Sequence, residues 1–179
     1  MINSLSNTKE IDKIIRNELV TQSGLDASFV RNALSEYGTY LDKNRIDSIF
    51  ESISPSDCCI LFEVQSSDNE HDVSLTEADD SVTYYKSFSV QITMYGDETD
   101  NIAPLLVARL RTEAARDNLF NQGVYLESVS NPTQLDEFKN GVLWKRWDFE
   151  INISVRFSIA PVYAQNPMKI LNDLTIENI

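Results

Sequence analysis

Residues 147–159 read WDFEINISVRFSI, and apolar and polar side chains alternate through all thirteen positions. Successive side chains of a strand point to opposite faces of a sheet, so the pattern predicts one strand with a buried and a solvated face. At about 3.3 Å per residue the strand would span roughly 43 Å, whereas an ordinary strand has about 5 or 6 residues. We therefore expect a central strand whose excess first end projects or pairs with a neighbouring molecule.

Further strands are predicted outward from this stretch. Residues 82–95 alternate in the same way, and shorter apolar runs at 58–64 and 124–129 also indicate strands. The first run begins with the only two cysteines, Cys58 and Cys59. Because neighbouring strand residues face opposite ways, these thiols are expected to be reduced, small apolar strand residues that share neither a disulfide nor a metal.

Apolar residues at intervals of three and four predict helices elsewhere. A first helix begins after Asn7 or Thr8 and ends at Gly24, a second runs from Asp26 to Leu41, and a third covers residues 43–53. A middle helix is predicted over residues 101–121. Its expected apolar side comprises Ile102, Leu105, Leu106, Leu110, Ala114 and Phe120.

The order of elements predicts an α+β fold, an antiparallel β-sheet with long strands flanked by α-helices. We expect one structural domain with three parts: an N-terminal helical segment at 1–56, a sheet-and-helix core at 57–161 and a C-terminal tail at 162–179. The tail has scattered apolar residues and no evident core of its own, so it is a candidate for docking on a partner.

Catalytic and cofactor motifs are missing from the sequence. The only histidine, His71, lies in a polar acidic stretch typical of a loop. Asp68, Glu70 and Asp72 have the alternate spacing of calcium ligands, but no glycine follows at the required position. The five glycines are scattered and form no phosphate-binding loop. We expect no catalytic residues, no metal and no cofactor, and predict that the protein is not an enzyme.

Charge is unevenly distributed. The net charge is −13, which argues against sequence-independent binding of nucleic acid. Residues 63–100 hold ten acidic residues and one basic residue, and so account for nine of the thirteen net negative charges. Such runs are often solvated faces; the alternative is a subunit with an acidic and a basic edge, suited to head-to-tail contacts that close a ring. The candidate subunit-interface residues are Arg109, Arg111, Arg116, Trp144, Lys145, Arg146 and Trp147.

The second half of the chain resembles the neck or tail terminator proteins of long-tailed bacteriophages. The resemblance covers about residues 58–160 and lies in the order of elements and residue types. It is carried by the strand FSVQITMY at 88–95, the helix LLVARLR at 105–111, the strand GVYLESV at 123–129 and the long strand that begins WKRWDFEINI at 144–153.

This resemblance implies a structural virion protein of the tail and neck, made in the host cytoplasm, without catalytic residues and without a membrane partner. It implies a homo-oligomeric ring, commonly a hexamer, that caps the tail tube and joins it to neck or head-completion proteins. Genomic DNA would pass through the ring without specific binding, along an acidic loop facing the lumen. The expected lumen-facing residues are Glu70, Asp72, Glu77, Asp79 and Asp80.

Two alternatives stay open. One is a different tail or neck subunit, such as a tube, adaptor or baseplate protein, which the position in an assembled particle would distinguish. The other is a small enzyme or host-directed effector, for which His71 and the acidic loop would be the residues to test.

Overall fold

The computed structural model describes Leu5 and residues 9–33, 54–66, 76–78, 81–139 and 141–159. In these ranges the helices are α1 (Lys9–Ser23), α2 (Thr99–Leu110) and α3 (Glu113–Asn121). The strands are β1 (Val30–Asn32), β2 (Cys59–Ser66), β3 (Thr76–Ala78), β4 (Ser81–Tyr95), β5 (Val124–Val129), β6 (Thr133–Gln134), β7 (Glu137–Lys139), β8 (Val142–Trp144) and β9 (Arg146–Ile159).

The main sheet has the strand order β1-β2-β4-β9-β5, with β3 beside β4 and β6 beside β9. Every pair in it is antiparallel except β1 with β2, which is parallel. Strands β7 and β8 form a separate two-stranded hairpin. The α+β class and the long strands predicted from the sequence are confirmed.

The two alternating stretches are paired with each other along their whole length. The register runs from Val82 opposite Ile159 to Tyr95 opposite Arg146, which is 14 residue pairs. Strand β9 has 14 residues and β4 has 15, so every residue of β9 has a partner in β4, and β4 is longer by the single residue Ser81. The expectation of a projecting first end of β9 is therefore wrong, because β4 is long enough to pair with all of it.

The three helices cover one face of this sheet. Ile151, Ile153 and Val155 of β9 lie in one buried cluster with Leu19 of α1 and Leu106 of α2. The first predicted helix is confirmed, since α1 buries the residues that recur at helical spacing. The opposite face of β9 carries the polar residues of the alternating pattern, which are half-buried.

The predicted middle helix is two helices. The backbone of Thr112 is extended, and its hydroxyl oxygen accepts a hydrogen bond of 3.3 Å from the N–H of Ala115, which makes Thr112 the N-cap of α3. The predicted apolar side is also partly wrong, because Leu105, Ala114 and Phe120 are exposed. The buried residues of the pair are Thr99, Ala103, Leu106, Val107, Leu110, Ala115 and Leu119.

The predicted second helix is wrong in the residues that the structure describes. Asp26 caps only a single 3-10 turn, where its carboxylate accepts a 2.8 Å hydrogen bond from the N–H of Ser28. The chain then becomes strand β1, in which Val30 is fully buried and aligned with Ile60. Tertiary pairing overrides the helical periodicity here. Residues 34–53, with the third predicted helix, lie outside the described ranges.

The sheet separates the two cysteines as predicted. Cys58 belongs to the main core beneath the helices, whereas Cys59 belongs to a second buried cluster with Leu61, Tyr95 and Trp144. This second cluster lies on the face opposite the helices. Trp144 at the end of β8 reaches it, so the β7–β8 hairpin is anchored at that end of the sheet.

Candidate functional site

The described residues contain no group of His, Cys, Asp or Glu that could hold a metal ion. Burial raises the pKa of the Cys58 thiol to about 12, so at neutral pH it is protonated and a poor nucleophile. None of the helices in these ranges is long and apolar enough to cross a membrane.

Asp100 receives two hydrogen bonds at the start of α2. Lys145 Nζ lies 2.6 Å from Asp100 Oδ2, and the indole N–H of Trp147 donates to Oδ1 over 3.0 Å. These bonds, that from Lys145 first, lower the pKa of Asp100, and the same contact raises the pKa of Lys145. Since both charged side chains are about 40% exposed, the ion pair adds little stability. Its effect is to orient the start of β9 against α2.

Arg146 lies between two carboxylates. Its Nε and Nη2 donate to the two carboxylate oxygens of Asp148, over 2.9 and 2.7 Å, and its Nη1 donates to Glu137 Oε2 over 3.0 Å. The hydrogen bond to Asp148 is the main cause of a raised pKa for Arg146. Glu137 also accepts a 2.8 Å hydrogen bond from Tyr95, and burial raises the pKa of that phenol. The network joins β7 to β4 and β9 at one end of the sheet.

The structure brings four of the predicted interface residues together at this end. Lys145, Arg146 and Trp147 have acidic partners within the same chain, and Trp144 is only 3% exposed. Trp144 therefore contributes chiefly to the core of the subunit, while Lys145 keeps an exposed side chain.

The three predicted helix arginines are placed apart from that end. Arg109 Nη1 donates to the backbone oxygen of Gln22 over 2.7 Å and so joins α2 to α1. Arg111 Nη2 donates to the backbone oxygen of Val129 over 2.7 Å, and so joins α2 to β5. Arg116 lies exposed on α3.

Glu18 is a polar contact that sequence reasoning missed. It is 3% exposed, and its carboxylate accepts hydrogen bonds from the side-chain amides of Asn118 and Gln22. The contact ties α1 to α3 inside the subunit. A signal was available, because Glu18 occurs at helical spacing from Ile14 and Ile15 on the apolar side of α1.

A depression, here called the aromatic hollow, lies where α3 meets β5. The rings of Phe120 and Tyr125 meet edge to face, with centroids 6.2 Å apart, and remain 39% and 55% exposed. A cavity of about 270 Å³ lies on one side of this pair and a cavity of about 240 Å³ on the other. The hollow is lined by Tyr85, Arg116, Asp117, Phe120, Gly123, Tyr125, Leu126 and Arg156. Among the described residues, the buried Nε of Arg156 meets no hydrogen-bond acceptor.

An exposed apolar surface lies on the hairpin formed by β7 and β8 and on the residues just before it. Leu135, Phe138, Val142 and Leu143 are 50%, 71%, 40% and 62% exposed. We call these four residues the apolar hairpin. The pattern of residues 134–140 is ambiguous between helix and strand, and neither the hairpin nor the hollow was predicted.

The predicted acidic loop lies mainly outside the described residues. Glu70, Asp72, Asp79 and Asp80 are not described, and neither is His71. Glu77 lies in β3, where its backbone is aligned with Val82 of β4. The role assigned to these carboxylates stays a prediction.

The fold defines an α+β protein whose prominent features are a long-stranded sheet, an exposed apolar hairpin and an aromatic hollow. A family model described as Phage neck terminator protein matches residues 47–179. That is well over half of the chain, so the chain belongs to this family. A search of curated proteins found no match.

The family confirms the resemblance seen in the sequence. It is a family of structural, non-enzymatic phage proteins, located at the neck and tail of the virion and in contact with other proteins there. The matched range starts before β2 and includes the whole main sheet except β1.

Proposed function

We propose that the protein forms a homo-oligomeric ring, commonly a hexamer, that caps the phage tail tube and joins it to the neck and head-completion proteins. The observation that carries this proposal is the family match over residues 47–179, which includes the long β4–β9 pair and the helices packed on it. A ring at such a joint needs subunits that keep their shape, and a sheet with 14 matched residue pairs at its centre supplies this rigidity.

Subunit contacts are proposed to use the predicted basic and aromatic residues. Arg116 is exposed and rims the aromatic hollow. Lys145 and Trp147 lie at the first end of β9, where both donate to Asp100. Arg109 and Arg111 each use only some of their five guanidinium N–H donors in the hydrogen bonds described within the subunit. Both side chains are exposed, and we propose that their other donors bind a carboxylate of a neighbouring copy.

Genomic DNA is proposed to pass through the ring along the acidic loop. A lumen lined by Glu70, Asp72, Glu77, Asp79 and Asp80 would repel phosphates, so DNA would move without adhering. The net charge of −13 is consistent with a surface that does not hold DNA.

Ring formation is tested by measuring the mass of the purified full chain in solution and imaging it by negative stain, with and without isolated tail tubes. We expect closed rings and binding to the tube end. A strict monomer at high concentration that forms no ring on tail tubes would contradict the proposal. In assembled particles, a position along the tube or in the baseplate instead of at the tube–neck junction would favour a different tail subunit.

The lumen role is tested separately by replacing Glu70, Asp72, Asp79 and Asp80 with Gln or Asn. We expect assembled particles that eject DNA more slowly or retain part of it. The matched control neutralises four acidic residues placed elsewhere: Asp97, Glu98, Glu113 and Glu127. Normal ejection in the loop variant, or an equal defect in the control, would remove the lumen role while leaving the ring untouched.

A further inference from the structure

We propose that neighbouring subunits of the ring are joined head to tail by insertion of the apolar hairpin of one copy into the aromatic hollow of the next. The inference rests on the proposed ring and assigns its contact to two surfaces of this chain. One surface is exposed and apolar, and the other is concave and lined by aromatic rings and arginine.

The hairpin has the character of an interface element. A two-stranded hairpin is marginally stable alone, and this one leaves Phe138 and Leu143 more than 60% exposed at its surface. Grouped exposed apolar side chains mark protein contact sites more often than isolated ones do. The anchor beneath the hairpin is firm, because Trp144 is buried and Glu137 bonds to both Arg146 and Tyr95. The hairpin is therefore presented in a fixed position.

The hollow has the size and chemistry of a receptor for side chains. Its two cavities, of about 270 and 240 Å³, are each smaller than the ~300–1,000 Å³ usual for small-molecule sites. Phe120 and Tyr125 supply apolar walls between them. The buried Nε of Arg156 lacks an acceptor among the described residues, and a buried donor without a partner is costly. An incoming backbone carbonyl or carboxylate would supply that acceptor.

Charge at the two surfaces is complementary. Asp136 is exposed beside Leu135 on the hairpin side. Arg116 is exposed at the rim of the hollow, next to Phe120. Opposite charges at the rim of a contact fix its orientation and speed association more than they add affinity. We assign Asp136 and Arg116 to such a rim pair between copies.

The positions of the two surfaces favour a second copy as the occupant. The hairpin is anchored near Arg146 and the hollow reaches Arg156, ten residues further along the same strand. That separation is roughly 33 Å at about 3.3 Å per residue, so with this sheet intact the apolar hairpin does not reach the hollow of its own subunit. The hairpin is anchored on the sheet face opposite the helices, and the hollow lies at the β5 edge of the sheet, between α3 and β5. Unlike surfaces at opposite ends of a subunit make a heterologous contact, which closes into a ring when the rotation allows.

The experiment uses two double variants of the full chain. The hairpin variant carries Phe138→Ser and Leu143→Ser, and the hollow variant carries Arg116→Glu and Tyr125→Glu. The control, Leu105→Ser, removes an apolar side chain that is 47% exposed on α2 and belongs to neither surface. All substituted positions are exposed, and circular dichroism with thermal melting checks that each variant folds.

We expect the wild type and the control to form rings, and each double variant alone to need a roughly hundredfold higher concentration to assemble, as loss of interface hot spots predicts. An equimolar mixture of the two variants should give a two-chain species and no ring, because only one intact hairpin–hollow contact remains per pair. The charge exchange Asp136→Arg with Arg116→Asp should assemble better than either single substitution.

The outcomes separate the two proposals. Rings from either double variant at wild-type concentrations, or a mixture that stays monomeric, would overturn the hairpin–hollow contact and leave the ring itself standing. A wild-type chain that forms no ring, with or without tail tubes, would overturn the proposed function and this contact together.

Discussion

Replacement of Ile153 by alanine tests the assignment of the two faces of β9. Ile153 is fully buried, and its register partners are Phe88 of β4 and Leu126 of β5. The change deletes three buried carbons, worth about 0.8 kcal/mol each in transfer free energy, or roughly 2.4 kcal/mol. The cavity that remains adds to this loss, and measured costs of such changes are about 2–5 kcal/mol.

The expected loss of about 3 kcal/mol is large compared with a total stability of about 5–15 kcal/mol. The measurement is urea unfolding followed by tryptophan fluorescence, at a protein concentration below that of assembly, since association would add stability of its own. With a slope of roughly 2 kcal/mol per molar urea, the midpoint should fall by about 1.5 M.

The matched control is Ser154→Ala, one position further along the same strand. Ser154 is half-buried on the opposite face, aligned with Ser87 and Tyr125. A substitution there should change stability by less than about 0.5 kcal/mol. Equal losses in the two variants, or a larger loss from Ser154→Ala, would refute the assignment of Ile153 to the core face.

Three further predictions concern other parts of the chain. Gly96→Ala should lower the free energy of unfolding in chemical denaturation much more than the control Gly141→Ala does. An added Cβ at Gly96 would lie 1.9 Å from the backbone oxygen of Asp57, whereas a Cβ at Gly141 would meet nothing within 4 Å. Both glycines have positive φ, so the backbone strain of an alanine is common to the two variants. The folded-state pKa of Asp100 is below its ordinary 3.8, so its stabilising effect is complete above that value and is lost as the pH falls through the folded pKa. The stability difference between wild type and Asp100→Asn should then be constant from neutral pH to about pH 5 and shrink toward pH 2; a difference that grows on acidification would be inconsistent with this. The Cys58 thiol, with a pKa near 12 and 6% exposure, should react with a thiol reagent at pH 8 only as fast as the protein unfolds, and rapid labelling of native protein would contradict its burial.

The sequence predicted those parts of the fold that depend on local periodicity. The alternation over β4 and β9 arises because one face of each strand is buried, and it located both strands to within a residue or two. The opposite orientation of neighbouring strand residues also placed Cys58 and Cys59 on opposite faces. The helical spacing of Ile11, Ile14 and Ile15 likewise located α1 and its buried side.

Non-local contacts account for what the sequence did not predict. Strand β1 exists because Val30 is aligned with Ile60, thirty residues later, which no local pattern in residues 26–41 reveals. The break between α2 and α3 depends on whether Thr112 acts as a cap, and Thr112 would also fit an uninterrupted helix. In the candidate site, Lys145 and Trp147 were found together because they are close in sequence. Their partner Asp100 lies 45 residues before Lys145 and became evident only in the fold.

The matched lengths of β4 and β9 have a mechanical consequence. Their antiparallel hydrogen bonds run perpendicular to the strands, so a pull along the strand axis loads all 14 pairs at once in shear. A pull across the strands would instead break the pairs one after another, as in opening a zipper. The subunit is thus stiffest along a line roughly 45 Å long, and a joint under tension resists failure best when that line follows the load.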